Sequence, residues 1–398
     1  MSALYTHAIA RRALLWALVL GLPACTDPFT PDVVKSPPSL LVIDGFLNAQ
    51  GVTTIRLSRT YAVDSKAVLP VETRATVYME DQAGARLPLF ESSVRGTYTS
   101  AAQTLSTAGK YRLHLVTLSG KEYVSEYVPV KLTPPIDALT WKTNSDGLNV
   151  LVSAHDATNN TQYYRWETDE TWEITPPYFP NLEYAAGNIR SIVVPFPLVC
   201  YGNQRASTVH LNKTTALTQD VVSEFRVRQL LTSTDRLFTR YSLLVQQHAL
   251  TKEEYAYWEL LRKNTESLGS LFDPQPVQLT GNVRCLNNPA DLALGFVGAH
   301  SLTEKRLFIR RAELPGSWPI VSGYQACLPP DTVFVPARTL GPSPSRADIL
   351  AGAFGQGSGY LPITEVYIMG AAAGYLAKTR DCIDCRTRGS AVKPSFWP

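Results

Sequence analysis

Residues 109–128, GKYRLHLVTLSGKEYVSEYV, decide the fold. Tyr111, Leu113 and Leu115 fall on one side of an extended chain, and Arg112 and His114 on the other. That alternation is what a half-buried strand requires, because successive strand side chains point to opposite faces. Ser119-Gly120 supplies a turn, and Glu122 to Val128 reads as the returning strand. The same grammar runs back toward the N-terminus. Leu40 to Leu47 is followed by a turn at Asn48-Ala49-Gln50-Gly51, and Val52 to Ser58 resumes with period two. Ala75 to Glu80 alternates, and Asp81-Gln82-Ala83-Gly84 turns it into Arg86 to Leu89. Short strands at this density, with no amphipathic helix between them, predict an immunoglobulin-like or fibronectin-like β-sandwich over residues 40–132.

Thr133-Pro134-Pro135-Ile136 reads as a stiff joint, since paired prolines disfavour both helix and ladder. A second sandwich is expected over 136–312. Leu148 to Ala154 and Tyr163 to Thr168 read as strands around a turn at Asp156 to Asn160, and Glu224 to Leu231 with Leu237 to His248 as a hairpin. One helix, 252–267, is inserted. Thr251 can cap it, Glu254 completes a capping box, Leu250 and Tyr255 suit a hydrophobic staple, and Gly269 can stop it. The proline- and glycine-rich stretch 313–398 reads as a loop-rich tail packed on the second domain. The fold class is therefore mainly β: two sandwiches, a short helical insertion and a disulfide-stapled tail.

The first 25 residues say where such a chain works. Arg11-Arg12 precede an uncharged apolar run from Ala13 to Leu22, too short to span a bilayer, and Pro23-Ala24-Cys25 follows. This reads as a lipoprotein signal peptide, 1–24, with lipid on Cys25 and a proline-rich tether over 25–39. Two or more acyl chains anchor stably where one does not. The expected location is outside the cytoplasm, tethered to a membrane, on a periplasmic or a cell-surface face. Lys and Arg number 37 against 34 Asp and Glu, with no basic patch, so nucleic acid is not an expected partner.

Five cysteines remain beyond Cys25: Cys200, Cys285, Cys327, Cys382 and Cys385. At most two bridges can form among them. Cys382-x-x-Cys385 lacks the further thiolates or imidazoles of a zinc site and the βαβ context of a redox motif, so it reads as structural. His114, His155, His210, His248 and His300 are scattered and read as strand-surface residues. No nucleophile elbow, HExxH or P-loop is present, and Gly355 to Gly359 fails as a nucleotide loop for want of a preceding βαβ unit. No catalytic residue, metal ligand or cofactor is expected. Tyr163, Tyr164, Trp166 and Trp172 crowd one segment, with Tyr178, Phe179 and Tyr184 after them in a proline-rich loop. Alternate members suit a core; the three loop aromatics are the candidate binding residues.

A series of motifs runs along the chain: Cys25 to Phe29, Leu41 to Gly45, Gly96-Thr97-Tyr98 and Gly109-Lys110-Tyr111. They continue through Pro134 to Asp137, Tyr241 to Val245, Leu268 to Pro276, Gly281-Asn282-Val283, Cys382 to Arg386 and Lys393 to Trp397. On these residues the chain resembles a family of outer-membrane lipoproteins of Bacteroidetes-type bacteria, domain of unknown function 4249. The resemblance implies an extracytoplasmic lipoprotein, commonly encoded near TonB-dependent transporters, and carries no catalytic residues. Ser395 stands where an acidic residue is expected. The expected bridges join Cys327 to Cys382 or Cys385, and Cys200 to Cys285, although spacing alone determines neither. Three functions compete: a non-enzymatic lipoprotein that binds an envelope protein such as a TonB-dependent transporter, a glycan- or peptide-capture module using the aromatics of 163–184, and a hydrolase assembled only in three dimensions.

Overall fold

The computed structural model describes residues 39–61, 69–266, 279, 281–335 and 344–398. Cys25, the signal segment and Gly269 lie outside them. The N-terminal unit comprises β1 (Leu41–Asn48), β2 (Gln50–Gly51), β3 (Thr54–Arg59), β4 (Thr76–Asp81) and β5 (Arg86–Glu91). It continues with β6 (Thr97–Ser100), β7 (Gln103–Thr104), β8 (Lys110–Val116), β9 (Glu122–Ser125) and β10 (Val128–Lys131). The alternation buries the residues it should: Ile43, Ile55, Leu57, Val77, Met79, Leu113 and Leu115 share one core.

The unit is not the open sandwich expected for 40–132. β10 pairs with β8, and the late segment Ala299–His300 lies parallel between β10 and β1. The path β10, 299–300, β1, β3, β6, β5, β4, β8 thus returns to its start, an eight-stranded closed barrel. Closure satisfies the edge strands that an open sheet would expose.

The chain then runs through β11 (Ile136–Thr143), β12 (Gly147–Asp156), β13 (Tyr163–Ile174), β14 (Leu182–Ala185) and β15 (Asn188–Ser191). Next come β16 (Cys200–Arg205), β17 (His210–Lys213), β18 (Asp220–Leu231), β19 (Arg240–Ala249) and helix α1 (Lys252–Glu266). Two sheets form: β11-β12-β18, and β16-β13-β19 with β17 on β13. They enclose a common core of Val150, Val152, Val227 and Leu230 from one side and Tyr164, Trp166, Tyr241 and Val245 from the other. The hairpin expected over Glu224 to His248 is corrected, while the strands expected around the turn at Asp156 to Asn160 are both present. β12 and β13 lie in different sheets, as do β18 and β19. Between β18 and β19 a short turn, Asp235–Leu237, drops Leu237 into the core, so the chain changes sheet rather than doubling back.

β20 (Val283–Cys285), β21 (Ala293–Leu294) and β22 (Ala299–His300) return to the barrel, pairing with β9, β1, and both β1 and β10. The boundaries drawn at 132 and 312 therefore do not separate two self-contained stretches: residues 283–300 complete the first unit. β23 (Leu302–Arg310) rejoins the second by pairing with β19.

The last stretch is more structured than its proline and glycine content suggests. β24 (Asp331–Phe334), α2 (Arg346–Phe354), β25 (Tyr360–Ile368), β26 (Ala371–Thr379) and the single turn α3 (Arg380–Ile383) follow one another. β24-β26-β25 form a sheet. Ser345 caps α2 with a reciprocal Asp348 box. Val335, Leu350, Phe354, Tyr375 and Ala377 make a separate small core. The hairpin β14–β15 adds Leu182, Tyr184 and Ile189 to it. The loop-rich tail is thus corrected to a small third unit. No helix among the described residues is long and apolar enough to cross a membrane.

Candidate functional site

The strongest concentration of unusual chemistry lies where the barrel meets the second unit. β13 alternates: Tyr164 and Trp166 enter the core, so Arg165, Glu167 and Asp169 occupy its other face. β19 does the same, burying Leu243 and Val245 in the core and turning Leu244, Gln246 and His248 outward. The strands pair Arg165 with His248, Glu167 with Gln246 and Asp169 with Leu244. Period two therefore builds a polar face that an isolated sheet would present to water. In the folded chain β1 and β3 of the barrel cover it.

The junction is a cleft with two lobes of about 140 and 360 Å³ that share Phe46, Thr54, Glu167 and Arg205. Asp44, Arg56, Glu254, Trp258 and Phe296 complete the smaller lobe. Asp169, Gln246 and His248 line the larger. Arg165 Nη1 pairs with Glu167 Oε1 at 2.7 Å, and Arg205 pairs with Oε2 of the same carboxylate. Burial works to raise the Glu167 carboxyl, but these two guanidiniums outweigh it and hold it below the usual range. Arg165 also stacks over the Trp258 ring, 4.0 Å from its centroid. Phe46 stacks on His300 at 4.2 Å, and the His248 ring meets both edge-on. Burial, with Arg165 and His300 adding repulsion, pushes His248 well below its ordinary value, so it is neutral.

Several of these groups have no hydrogen-bond partner among the described residues although they are out of reach of solvent: both ring nitrogens of His248, Glu254 Oε2, Trp258 Nε1 and Arg165 Nε. Glu254 is only 2% exposed. Its backbone N–H donates to Thr251 Oγ1 at 3.1 Å, as the capping pattern predicts, while its carboxylate faces His300 Nε2 at 3.5 Å. The Glu254 side chain, read only as part of a capping box, is buried at the junction. The histidines likewise depart from the strand-surface reading: His114, His248 and His300 are buried, and His114 pairs with Glu122 at 2.7 Å. His155 alone among the paired ones is exposed, bonded to Asp137 at 2.7 Å.

The candidate aromatics do not form one surface. The Tyr178 hydroxyl donates to the Cys327 carbonyl at 2.8 Å, and its ring packs on the disulfide cluster. Tyr184 packs in the third core against Phe354. Phe179 is the one of the three that is exposed, at 55%. The bridges are Cys200–Cys385 and Cys327–Cys382, with Cys285 free and buried. The Cys200–Cys285 bridge is thus corrected: β20 carries Cys285 to the barrel, opposite Tyr123 of β9, away from the other four. Cys327, Asp381 and Cys382 converge, but with both sulfurs in a disulfide this is not a metal site.

A second feature protrudes. β25 and β26 are joined by Met369-Gly370, both at positive φ, 51° and 80°, the two-residue mirror-image turn that suits hairpin twist. Met369 is 102% exposed, Tyr367 and Ile368 before it are exposed as well, and so is Phe334 on the neighbouring β24. The sequence signal for it is the apolar run Ile368 to Leu376, which is too short for a membrane span.

A family model described as "Domain of unknown function (DUF4249)" matches residues 26–306. No curated protein matches the sequence. Among solved structures, a two fibronectin type-III domain segment from chicken tenascin is 10% identical, covering 53% of this chain and 90% of that one, with a TM-score of 0.16. A structure titled as manganese lipoxygenase of Gaeumannomyces graminis with partial zonadhesin of Komagataella pastoris is 9% identical, with 55% and 90% coverage and a TM-score of 0.16. A biofilm associated protein BSP domain is 7% identical, with 70% and 60% coverage and a TM-score of 0.14. Likenesses this weak assign no activity, ligand or partner.

Proposed function

From the premise that the chain belongs to the DUF4249 family, we propose that it is a non-enzymatic lipoprotein of the outer membrane, held by lipid on Cys25, that docks an envelope protein such as a TonB-dependent transporter. The second unit is read in the same proposal as an immunoglobulin-like sandwich, with its two sheets facing across one core. The observation that carries the reading is the hairpin tip. Tyr367, Ile368 and Met369 present apolar side chains to water at the end of a tightly turned hairpin, with Phe334 alongside. Met369 holds a left-handed backbone, a conformation that costs a non-glycine residue about 1–2 kcal/mol. A protruding apolar finger held at that cost fits a partner's groove, and exposed apolar patches of this kind mark interaction sites. The Cys25 reading supports the tether independently.

The test is extraction of the native protein in mild detergent followed by affinity purification. A stoichiometric envelope partner is expected with the wild type and is lost with Met369→Asp or Tyr367→Ser. Recovery of the wild type alone overturns the docking role, and an unmodified N-terminus by mass spectrometry overturns the tether.

A further inference from the structure

We infer that the cleft between the barrel and the second unit is a binding site for a neutral polyhydroxylated ligand, a mono- or disaccharide. This inference stands apart from the docking finger, which lies in the third unit. Its starting point is the mixed lining of the cleft, in which the charged and amide side chains of Asp44, Arg56, Asp169, Arg205 and Gln246 stand beside the rings of Phe46, Trp258 and Phe296.

The ligand class follows from charge and from hydrogen-bonding type. Arg165 and Arg205 share the single carboxylate of Glu167, Asp44 faces Arg56 directly across the β1–β3 ladder, and Glu254 and Asp169 bring the lining to four carboxylates against three guanidiniums. No net positive charge is left to hold an anion, and Glu254, Asp44 and Asp169 would repel one. A cation would meet Arg165, Arg205 and Arg56. The lining offers donors and acceptors together: the carboxylates of Asp44 and Asp169, the guanidiniums of Arg56 and Arg205, and the Gln246 amide, which supplies both. A hydroxyl both donates and accepts, so a sugar answers all of them. Phe46, Trp258 and Phe296 give the apolar walls against which a sugar's C–H faces pack. The combined lobes fall within the volume of small-ligand sites, ~300–1,000 Å³.

The test is isothermal titration of the full-length protein with maltose, cellobiose, xylobiose and chitobiose, and separately with inorganic phosphate and ethylamine. The expected result is one-to-one binding of at least one sugar, weakened at least tenfold by Arg56→Gln or Asp44→Asn. Both variants should melt at the wild-type temperature, since neither residue is buried. Tyr178→Ala and Phe179→Ala should leave the affinity unchanged. Absence of heat with every sugar overturns the inference, as does sugar binding indifferent to the Arg56 and Asp44 variants. Binding of phosphate or ethylamine in preference to sugars overturns the ligand class.

Discussion

His248 points outward from its own sheet yet is buried, because a neighbouring unit covers that face. Burial is the largest influence on its proton affinity and lowers it well below the ordinary value, Arg165 and His300 adding to the effect. The unfolded chain then binds the proton that the folded chain refuses, so stability rises with pH through this range. The contribution is complete above an unfolded value near ~6.5 and is lost as pH falls toward the depressed folded one. Thermal melts between pH 7.5 and 5 should show a falling midpoint in the wild type and a flatter profile in His248→Leu. His155 acts in the opposite sense. Its bond to Asp137 raises its proton affinity, so its smaller contribution is present at low pH and fades as pH rises. An equally steep acid slope in the leucine variant would remove His248 as the cause. Neither effect could be read from the sequence, where both histidines sit in similar alternating contexts.

Elements repeat the lesson at larger scale. Helix α1 begins where the capping pattern placed it, with the Thr251 hydroxyl accepting from the Glu254 N–H. Thr251→Ala should cost about 1 kcal/mol, read by chemical denaturation. Leu250 and Tyr255 share a cluster with Leu211, the staple expected from their spacing. The β25–β26 turn makes a sharper prediction. Met369→Gly relieves the left-handed backbone, so the variant should melt at or above the wild-type temperature while losing partner capture. A loss of both would mean that the tip is merely structural. The C-terminal Trp397, 4% exposed, is wedged against Tyr201 and Phe308, and its indole N–H donates to Glu173 at 2.9 Å. Trp397→Ala should therefore destabilise by about 3–5 kcal/mol in a denaturant titration, a core-sized effect for a residue next to the end of the chain.

Across the whole molecule, non-local connections hold the units together. The Cys200–Cys385 bridge spans 185 residues and Cys327–Cys382 spans 55. The first joins β16 of the second unit to the last stretch, the second closes a loop within that stretch, and both pack with Ile174 and Tyr324. Cys200→Ser with Cys385→Ser should cost about 2–5 kcal/mol, in line with removal of a native bridge. Non-reducing peptide mapping should recover these two pairs. Cys285 should react with thiol reagents only after denaturation, because it is buried in the barrel core. A Cys200–Cys285 peptide would contradict the path of β20. The segment 283–300 is the other long-range tie. It leaves the second unit, adds β20, β21 and β22 to the barrel, and returns as β23.

What the sequence determined by itself was local. Alternation named which residues face inward on β1, β3, β4, β8, β13 and β19, and cap chemistry placed α1. Such signals need only a residue and its near neighbours, since strand period and cap hydrogen bonds are set within a few positions. Tertiary structure alone decided which strand pairs with which, and therefore the closed barrel, the sheet changes after β12 and β18, the partner of Cys200 and the isolation of Cys285. It also decided that the outward row Arg165, Glu167, Asp169 and His248 would be covered. A period-two pattern says that a face is polar. Whether water or another unit lies against that face depends on contacts between residues far apart in the chain, and no local spacing encodes them.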